Sequence, residues 1–161
     1  DGWALLMHDV SEGLLPWEWA RERLGASRNY WVITADATAR PHAMPVWGAW
    51  LDDDTFFFSC APTSRKARNL EANPQMVVTA DSTVEVISVE GLARPVTGPD
   101  AEPGVSAYVL AYHDEVEEAE RSGFADFVRS NAMFLMTPQR AFGIIERADE
   151  FATRATRWRW P

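Results

Sequence analysis

The residues of this chain best suited to chemistry crowd into one short basic segment near its middle. Thr63 and Ser64 offer hydroxyls that can cap a helix. Three cations follow directly, at Arg65, Lys66 and Arg68. Cations are unfavourable in a first turn, because the helix dipole places partial positive charge there. A bound phosphate would remove the conflict, since backbone N–H groups, hydroxyls and cations all bind it. The alternative interpretation is a solvated basic helix.

Composition favours the phosphate interpretation of this segment. The chain has 15 Lys and Arg residues, and Lys66 is its single lysine. An aromatic run from Phe56 to Phe58 precedes the segment and is typical of a buried strand. The cations therefore follow a strand-to-helix junction, where backbone N–H groups are free to bind an anion.

Charge and cysteine content limit the partners and the compartment. The formal net charge of −9 argues against nonspecific nucleic-acid binding, so the basic segment favours one small anion. Cys60 is the only cysteine, so no intrachain disulfide can form and a reducing, cytoplasmic location is expected. No apolar run approaches the roughly 20 residues of a membrane span, and no signal-peptide pattern precedes the first predicted helix.

Familiar catalytic motifs are absent from the sequence. It has no Gly-x-Gly-x-x-Gly pattern after a strand, no Walker A loop and no Gly-x-Ser-x-Gly elbow. The three histidines, His8, His42 and His113, are far apart, and no Cys/His spacing suits a metal. We therefore expect neither a metal site nor a hydrolytic triad.

Hydrophobic periodicity predicts a mainly β, α+β domain over residues 16–161, preceded by an N-terminal arm over 1–15. Predicted helices cover 16–25, 64–72, 105–121 and 124–129. Predicted strands cover 30–34, 41–51, 56–60, 75–80, 83–96, 132–137 and 141–145, with an alternating tail over 153–160. We find no internal repeat and no second domain.

The strand predicted over 41–51 contains two interrupting residues. Pro45 cannot donate a ladder hydrogen bond, and Gly48 has no side chain. We therefore expect a bulge or an edge where another group approaches the backbone closely. A flat heteroaromatic cofactor with a phosphate tail would use such a strand for its ring and the basic helix start for its tail. A simple edge-strand bulge is the alternative.

Five segments together resemble one known superfamily. They are Arg40-Pro41-His42-Ala43-Met44-Pro45-Val46-Trp47-Gly48, Thr63-Ser64-Arg65-Lys66-Ala67-Arg68-Asn69-Leu70, Asn73-Pro74, Thr137-Pro138-Gln139-Arg140-Ala141-Phe142-Gly143 and Ala155-Thr156-Arg157-Trp158-Arg159-Trp160. Their order and spacing resemble the pyridoxamine-5′-phosphate-oxidase-like split β-barrel flavin and deazaflavin oxidoreductases. The last two segments resemble the branch that uses coenzyme F420. The resemblance runs from about Trp17 to Trp160.

The resemblance implies a six-stranded antiparallel split β-barrel with a few peripheral helices. It also implies a homodimer with a cofactor site at the interface. By motif position, the phosphate would be held by Thr63, Ser64, Arg65 and Lys66, with support from Asn69. The cofactor ring would lie along Met44, Pro45, Val46 and Trp47, with Ser59 near the ribityl-phosphate path.

The implied activity is hydride transfer between the cofactor and a small unsaturated or aromatic substrate. The proton would come from solvent or from a residue such as His42, unless that residue is simply a strand histidine facing solvent. Coenzyme F420 is preferred over FMN, because Arg40 and Arg68 could accommodate its longer acidic tail. The chain shows no convincing pyridoxal-phosphate substrate motif. A non-catalytic flavin or deazaflavin carrier and a pure dimerisation module are the alternatives.

Overall fold

A computed structural model describes residues 13–161 and the backbone of one short strand before them. The strands are β1 (Leu5–Leu6), β2 (Tyr30–Ala35), β3 (Pro41–Val46), β4 (Gly48–Trp50), β5 (Phe56–Cys60), β6 (Gln75–Ala80), β7 (Glu85–Pro95), β8 (Ala132–Ile145) and β9 (Thr156–Arg159). The α-helices are α1 (Trp17–Ala26), α2 (Arg65–Ala72), α3 (Glu102–Tyr112) and α4 (Phe124–Ser130). Short 3₁₀ helices cover Gly98–Asp100, His113–Glu115 and Glu118–Gly123. Most of the predicted N-terminal arm, with His8, lies outside the described residues.

One curled sheet contains all nine of these strands. Its main path runs β1-β9-β8-β7-β6-β2-β3, while β5 pairs with β8 and β4 pairs with β5. Every pairing is antiparallel except that of β1 with β9. Only Trp47 separates β3, at the end of the main path, from β4, at the end of the branch that leaves β8 through β5. Because these two strand ends are joined by one residue, the sheet must curl back toward itself. This confirms the predicted α+β split barrel, but the prediction of six strands is wrong.

The strand count differs because one predicted strand is broken into two and two other predicted strands are joined into one. The strand expected over 41–51 breaks at Trp47 into β3 and β4, and the alternating tail forms β9. Conversely, the two strands expected over 132–137 and 141–145 are one continuous strand, β8. Pro138 is tolerated there because Gln139 is an extra residue, which shifts the pairing of β7 with β8 between Glu90 and Gly91.

The predicted edge at Pro45 is confirmed by the position of β3. In the part of the chain that the structure describes, this strand pairs with β2 alone, and Pro45 lies opposite Trp31. The missing N–H of the proline therefore interrupts no pairing with a further strand on the open side. Gly48 then begins β4 at a point of close approach. A Cβ atom there would lie 2.3 Å from the Phe56 ring and 3.0 Å from the carbonyl oxygen of Phe57.

The aromatic strand β5 is buried on both faces because it lies between two hydrophobic clusters. Phe56 and Phe58 belong to the barrel core, while Phe57 packs with Val105 and Tyr108 of α3 in a second cluster. A strand covered on both sides has a continuous apolar sequence, as this one does. The prediction of a buried strand before the basic segment is confirmed.

The helix predicted over 105–121 is shorter than expected. The α-helix ends at Tyr112, and the acidic residues that follow lie in two 3₁₀ helices, His113–Glu115 and Glu118–Gly123. A continuous α-helix would bring carboxylates such as Asp114 and Glu118 together at i,i+4 spacing, which is destabilising.

We expect Gly48→Ala to destabilise the protein by about 1–3 kcal/mol, because the added methyl group would overlap the Phe56 ring. The measurement is urea unfolding followed by circular dichroism. Gly25→Ala is the control, since a Cβ at Gly25 in α1 meets nothing within 4 Å. That control should raise the free energy of unfolding by about 0.4–1 kcal/mol. Equal stability of the Gly48→Ala variant and the parent protein would contradict the packing described here.

Candidate functional site

The basic segment forms the start of α2 as predicted. Ser64 is the N-cap, with extended backbone angles (φ −68°, ψ 154°), and its Oγ accepts a hydrogen bond from the Ala67 N–H at 3.3 Å. The same hydroxyl donates to Sγ of Cys60 at 3.4 Å, so Ser64 already has two partners within the chain. Thr63 is exposed beside it, and its carbonyl oxygen accepts a hydrogen bond from the Arg68 guanidinium.

Arg65 and Lys66, the cation pair at the start of α2, have no neutralising partner in the part of the chain that the structure describes. No carboxylate of residues 13–161 lies within 4.0 Å of either side chain. The arginines that do pair with a carboxylate are Arg21, Arg23, Arg28, Arg94, Arg121, Arg129, Arg140, Arg147 and Arg154. An acidic protein thus leaves this particular pair uncompensated at the positive end of a helix, where an anion is favoured.

The inner face of β3, formed by His42, Met44 and Val46, lies on the same side of the sheet as α2. These residues pair in register with Thr34, Val32 and Tyr30, the buried residues of β2. Since paired antiparallel residues share a face and α2 packs on β2, this face of β3 borders the helix. Met44 is 45% exposed, so part of that face is open to a ligand.

His42 links the strand to the cation pair. It is half-buried, and its Nδ1 is a buried atom without a hydrogen-bond partner among the described residues. Partial burial lowers the pKa of His42, and the charges of Arg65 and Lys66 lower it further. The imidazole is therefore held neutral next to two cations. A bound anion would relieve both the unpaired nitrogen and the repulsion.

Asn69 serves the fold in this structure. It is only 5% exposed, and its Nδ2 donates to Oγ1 of the buried Thr34 at 2.9 Å. This hydrogen bond joins α2 to β2 and so fixes the cation pair relative to the sheet. The hydrogen bond to Thr34 uses one of the two N–H groups of the amide, and the expected support of a phosphate by Asn69 stays a prediction.

The four residues expected along a cofactor ring separate into different environments. Met44 is exposed on the inner face, Val46 is buried there, and Pro45 lies on the opposite face. Trp47, at the break between β3 and β4, stacks on Tyr112 of α3 with ring centroids 4.4 Å apart and planes within 2°. Of these four side chains, Met44 is therefore the one that is both exposed and on the face next to α2.

Two tyrosines of α3, Tyr108 and Tyr112, take part in the site's framework, and no motif in the sequence indicates this role. The Tyr112 hydroxyl donates to the carbonyl oxygens of Arg28 and Gly48 and accepts from the Gly48 N–H, each at 2.9 Å. Tyr108 forms a hydrogen bond with Ser59, and burial raises the pKa of Tyr108 to about 12. Ser59, which lies near the end of β5, is therefore half-buried and already has a hydrogen-bond partner in Tyr108.

Other kinds of site find no support in the described residues. Within residues 13–161 no group of three or more His, Cys, Asp and Glu side chains could hold a metal ion. In the same part of the chain, no helix is long and apolar enough to cross a membrane. Burial raises the pKa of the Cys60 thiol, which makes it a poor nucleophile at neutral pH.

We expect Arg65→Gln or Lys66→Met to raise the pKa of His42 toward its ordinary value of 6.5, because each removes a repelling charge. NMR titration of the His42 ring protons measures the shift, and Arg159→Gln on β9 is the control. In the parent protein the unfolded chain binds more protons at His42 than the folded state. This residue therefore lowers the free energy of unfolding as the pH falls through about 6.5. An unchanged His42 titration in both variants would contradict the proximity described here.

Comparison with solved structures places the fold among known split barrels. The conserved hypothetical protein Rv2991 of Mycobacterium tuberculosis is 17% identical, with a TM-score of 0.69 over 88% of this chain and 91% of its own. The heme storage protein HutZ of Vibrio cholerae is 18% identical, with a TM-score of 0.60 over 80% and 96%. General Stress Protein 26 of Bacillus anthracis is 15% identical, with a TM-score of 0.56 over 77% and 89%. At these identities the likeness shows the fold alone.

Sequence comparison identifies the family. No curated protein matches the chain. The family model described as pyridoxamine 5′-phosphate oxidase matches residues 17–135, a stretch that includes β3, the cation pair and the first part of β8. That stretch covers more than half of the chain, so this protein belongs to the pyridoxamine 5′-phosphate oxidase family.

Proposed function

We propose that this protein is a coenzyme F420-dependent reductase that transfers a hydride between the deazaflavin and a small unsaturated or aromatic substrate. The observation that carries the proposal is the uncompensated cation pair at the start of α2, next to the inner face of β3. FMN is the alternative cofactor at the same site, because the family also uses flavin.

The start of α2 fits a phosphate group. Backbone N–H groups of the first turn, the exposed Thr63 hydroxyl and the cation pair can all donate hydrogen bonds to phosphate oxygens. Ser64 contributes less than the sequence predicted, since its hydroxyl is held by Ala67 and Cys60. Lys66 is half-buried, so its contact with a phosphate would be partly shielded from water and correspondingly stronger.

The edge strand β3 fits the ring of such a cofactor. Among the described residues β3 pairs with β2 alone, so none of them pairs with the backbone N–H and C=O groups on its other side. The exposed Met44 side chain provides an apolar contact on the inner face, where His42 has an unpaired ring nitrogen. These groups would hold the ring plane, while α2 holds the phosphate.

The residues of the chain would supply position and protons. The cofactor, when bound, supplies the hydride-transfer chemistry. The cation pair and β3 would hold the cofactor in one orientation relative to the substrate. This lowers the entropic part of the activation free energy of hydride transfer. His42, whose pKa is lowered by partial burial and by the cation pair, is the described residue best placed to accept a proton there, and an anion bound beside it would favour the protonated form that can return the proton.

Two further cations favour F420 over FMN as the cofactor, because F420 has a longer acidic tail whereas FMN has a single phosphate. Arg40 precedes β3 by one residue, and Arg68 is exposed on α2. Neither has a carboxylate within 4.0 Å among the described residues. They extend the positive surface beyond the cation pair, as a tail with several carboxylates would require.

A non-catalytic carrier of the same cofactor is the second candidate. Besides His42, the framework around the site contains the titratable groups Cys60, Tyr108 and Tyr112, and burial raises the pKa of each. They are poor acids and bases at neutral pH. Because a carrier only binds the cofactor and needs no acid or base, this site would be sufficient for a carrier. Turnover of any enone, quinone or tetrapyrrole by the reduced holoprotein excludes the carrier function. Tight cofactor binding without turnover supports it.

We also propose a homodimer whose interface covers the outer face of the sheet. This face carries partly exposed apolar side chains from four strands, namely Trp31, Ile33, Val77, Val86, Phe142 and Ile144. Trp31 is 45% exposed and lies opposite Pro45, so the edge strand of the cofactor site would lie at the rim of the interface. A second copy is the occupant that the family resemblance implies.

We expect F420 to bind the purified protein, and Lys66→Ala to weaken that binding by about 1.5–3 kcal/mol, or roughly 10- to 150-fold. Equilibrium dialysis with F420 and, in parallel, with FMN measures both affinities. Arg159→Ala is the control, because Arg159 is an exposed cation on β9. Arg68→Ala should weaken F420 binding severalfold and leave FMN binding unchanged. Failure of the parent protein to bind either cofactor at micromolar concentration would refute the proposal.

We expect Trp31→Asp to raise the dimer dissociation constant by about thirtyfold or more, because it places a charge in an apolar interface. Sedimentation equilibrium across a dilution series measures this constant. Leu110→Asp is the control, since Leu110 is 81% exposed on α3, away from the outer face. A monomeric parent protein, or equal dissociation constants for the two variants, counts against this interface.

A further inference from the structure

A separate cavity of about 690 Å³ opens on the helical side of the molecule, between the β3–β4 break and the segment from Glu115 to Phe127. Its lining residues are Trp47, Glu115, Val116, Glu117, Ala119, Glu120, Ser122, Gly123, Phe124 and Phe127. The volume falls within the roughly 300–1,000 Å³ typical of small-molecule sites. The cation pair of α2 does not contribute to this cavity.

Aromatic side chains form the apolar part of the cavity. Trp47 is held in place by its stack on Tyr112, whose hydroxyl is fixed by three hydrogen bonds to backbone groups. Phe124 is 7% exposed and belongs to the second hydrophobic cluster, whereas Phe127 is 61% exposed at the rim. A rigid aromatic wall and an exposed aromatic rim suit a flat apolar ligand.

The charge of the lining is entirely negative. Glu115 is bound by both Nε and Nη2 of Arg28, at 2.9 Å and 2.6 Å, so its charge is compensated. Glu117 and Glu120 have no ion pair or side-chain hydrogen bond among the described residues. None of the described residues that line the cavity is a Lys or Arg.

The nearest guanidinium in sequence does not relieve this charge. Arg121 donates from Nε to the carbonyl oxygen of Val116 at 3.1 Å, and its Nη2 lies 3.8 Å from Asp114. The Arg28–Glu115 pair meanwhile holds the acidic segment against the start of β2. Two uncompensated carboxylates thus remain beside an aromatic wall, and a cation placed there gains from both the carboxylates and the ring faces.

We propose that this cavity binds an organic cation, a small flat molecule that carries a protonated amine. The aromatic part of the ligand packs against Trp47, Phe124 and Phe127, and the ammonium group lies between Glu117 and Glu120. The inference does not depend on the identity of the cofactor, because the cavity and the start of α2 have no residue in common. Trp47, which was predicted along the cofactor ring, lines the cavity instead and stacks on Tyr112. The two sites differ in sign: α2 attracts anions and the cavity attracts cations.

Calorimetric titration of the full chain with three matched indoles tests the charge selectivity. The probes are tryptamine (cationic), 3-ethylindole (neutral) and indole-3-propionate (anionic), which share one ring and a two-carbon arm. We expect tryptamine to bind about tenfold more tightly than 3-ethylindole, and indole-3-propionate to bind weakest. Raising the salt concentration from about 0.05 to 0.5 M should weaken tryptamine binding alone. Equal affinity of the three probes, or no tryptamine binding at about millimolar concentration, overturns the proposal.

Variants of the acidic segment locate the site. Glu117→Gln combined with Glu120→Gln should weaken tryptamine binding about tenfold and leave 3-ethylindole binding unchanged. Phe127→Ala should weaken both ligands severalfold. Glu118→Gln is the matched control, since Glu118 lies exposed in the same 3₁₀ helix but does not line the cavity. An equal loss in the control variant shows a general charge effect and rejects the cavity as the site.

Discussion

The proposed site depends on one unfavourable interaction, the placement of two cations, unpaired among the described residues, at the positive N-terminal end of α2. Cations there oppose the helix dipole by a few tenths to about 1 kcal/mol each, and Arg65 and Lys66 have no carboxylate nearby among the described residues. Among the described residues, nine other arginines each have a carboxylate within 4.0 Å. Partial burial, together with this charge, lowers the pKa of His42. An anion at this point would satisfy the helix, the cations and the unpaired His42 nitrogen together.

The barrel supports this charge by fixing α2 and β3 to the same strand. The hydrogen bond from Asn69 to Thr34 ties the helix to β2, and β2 pairs with β3 along the full length of β3. The break at Trp47 then sends the chain from β3 to β4, and the Tyr112 hydroxyl binds the backbone of Gly48 just beyond it. One set of packing interactions thus shapes both the positive site at α2 and the negative cavity beyond Trp47.

Local sequence patterns predicted the helix and strands of the site, but the side chains that contact these elements come from distant parts of the sequence and were not predicted. The capped basic helix, the aromatic strand and the edge at Pro45 were predictable because each depends on a few neighbouring residues. The six-strand prediction was wrong because the break at Trp47 and the bulge at Gln139 depend on partner strands. The bond of Asn69 to Thr34 and the stack of Trp47 on Tyr112 join residues 35 and 65 positions apart, so no local pattern could indicate them.

The most direct test of the central claim is a crystal structure of the protein with coenzyme F420. We predict that the phosphate of the cofactor lies about 3 Å from Nζ of Lys66 and from backbone N–H groups of the first turn of α2. We also predict that its ring lies along β3 next to Met44. A phosphate bound elsewhere, with the start of α2 open to solvent in the complex, would contradict the account.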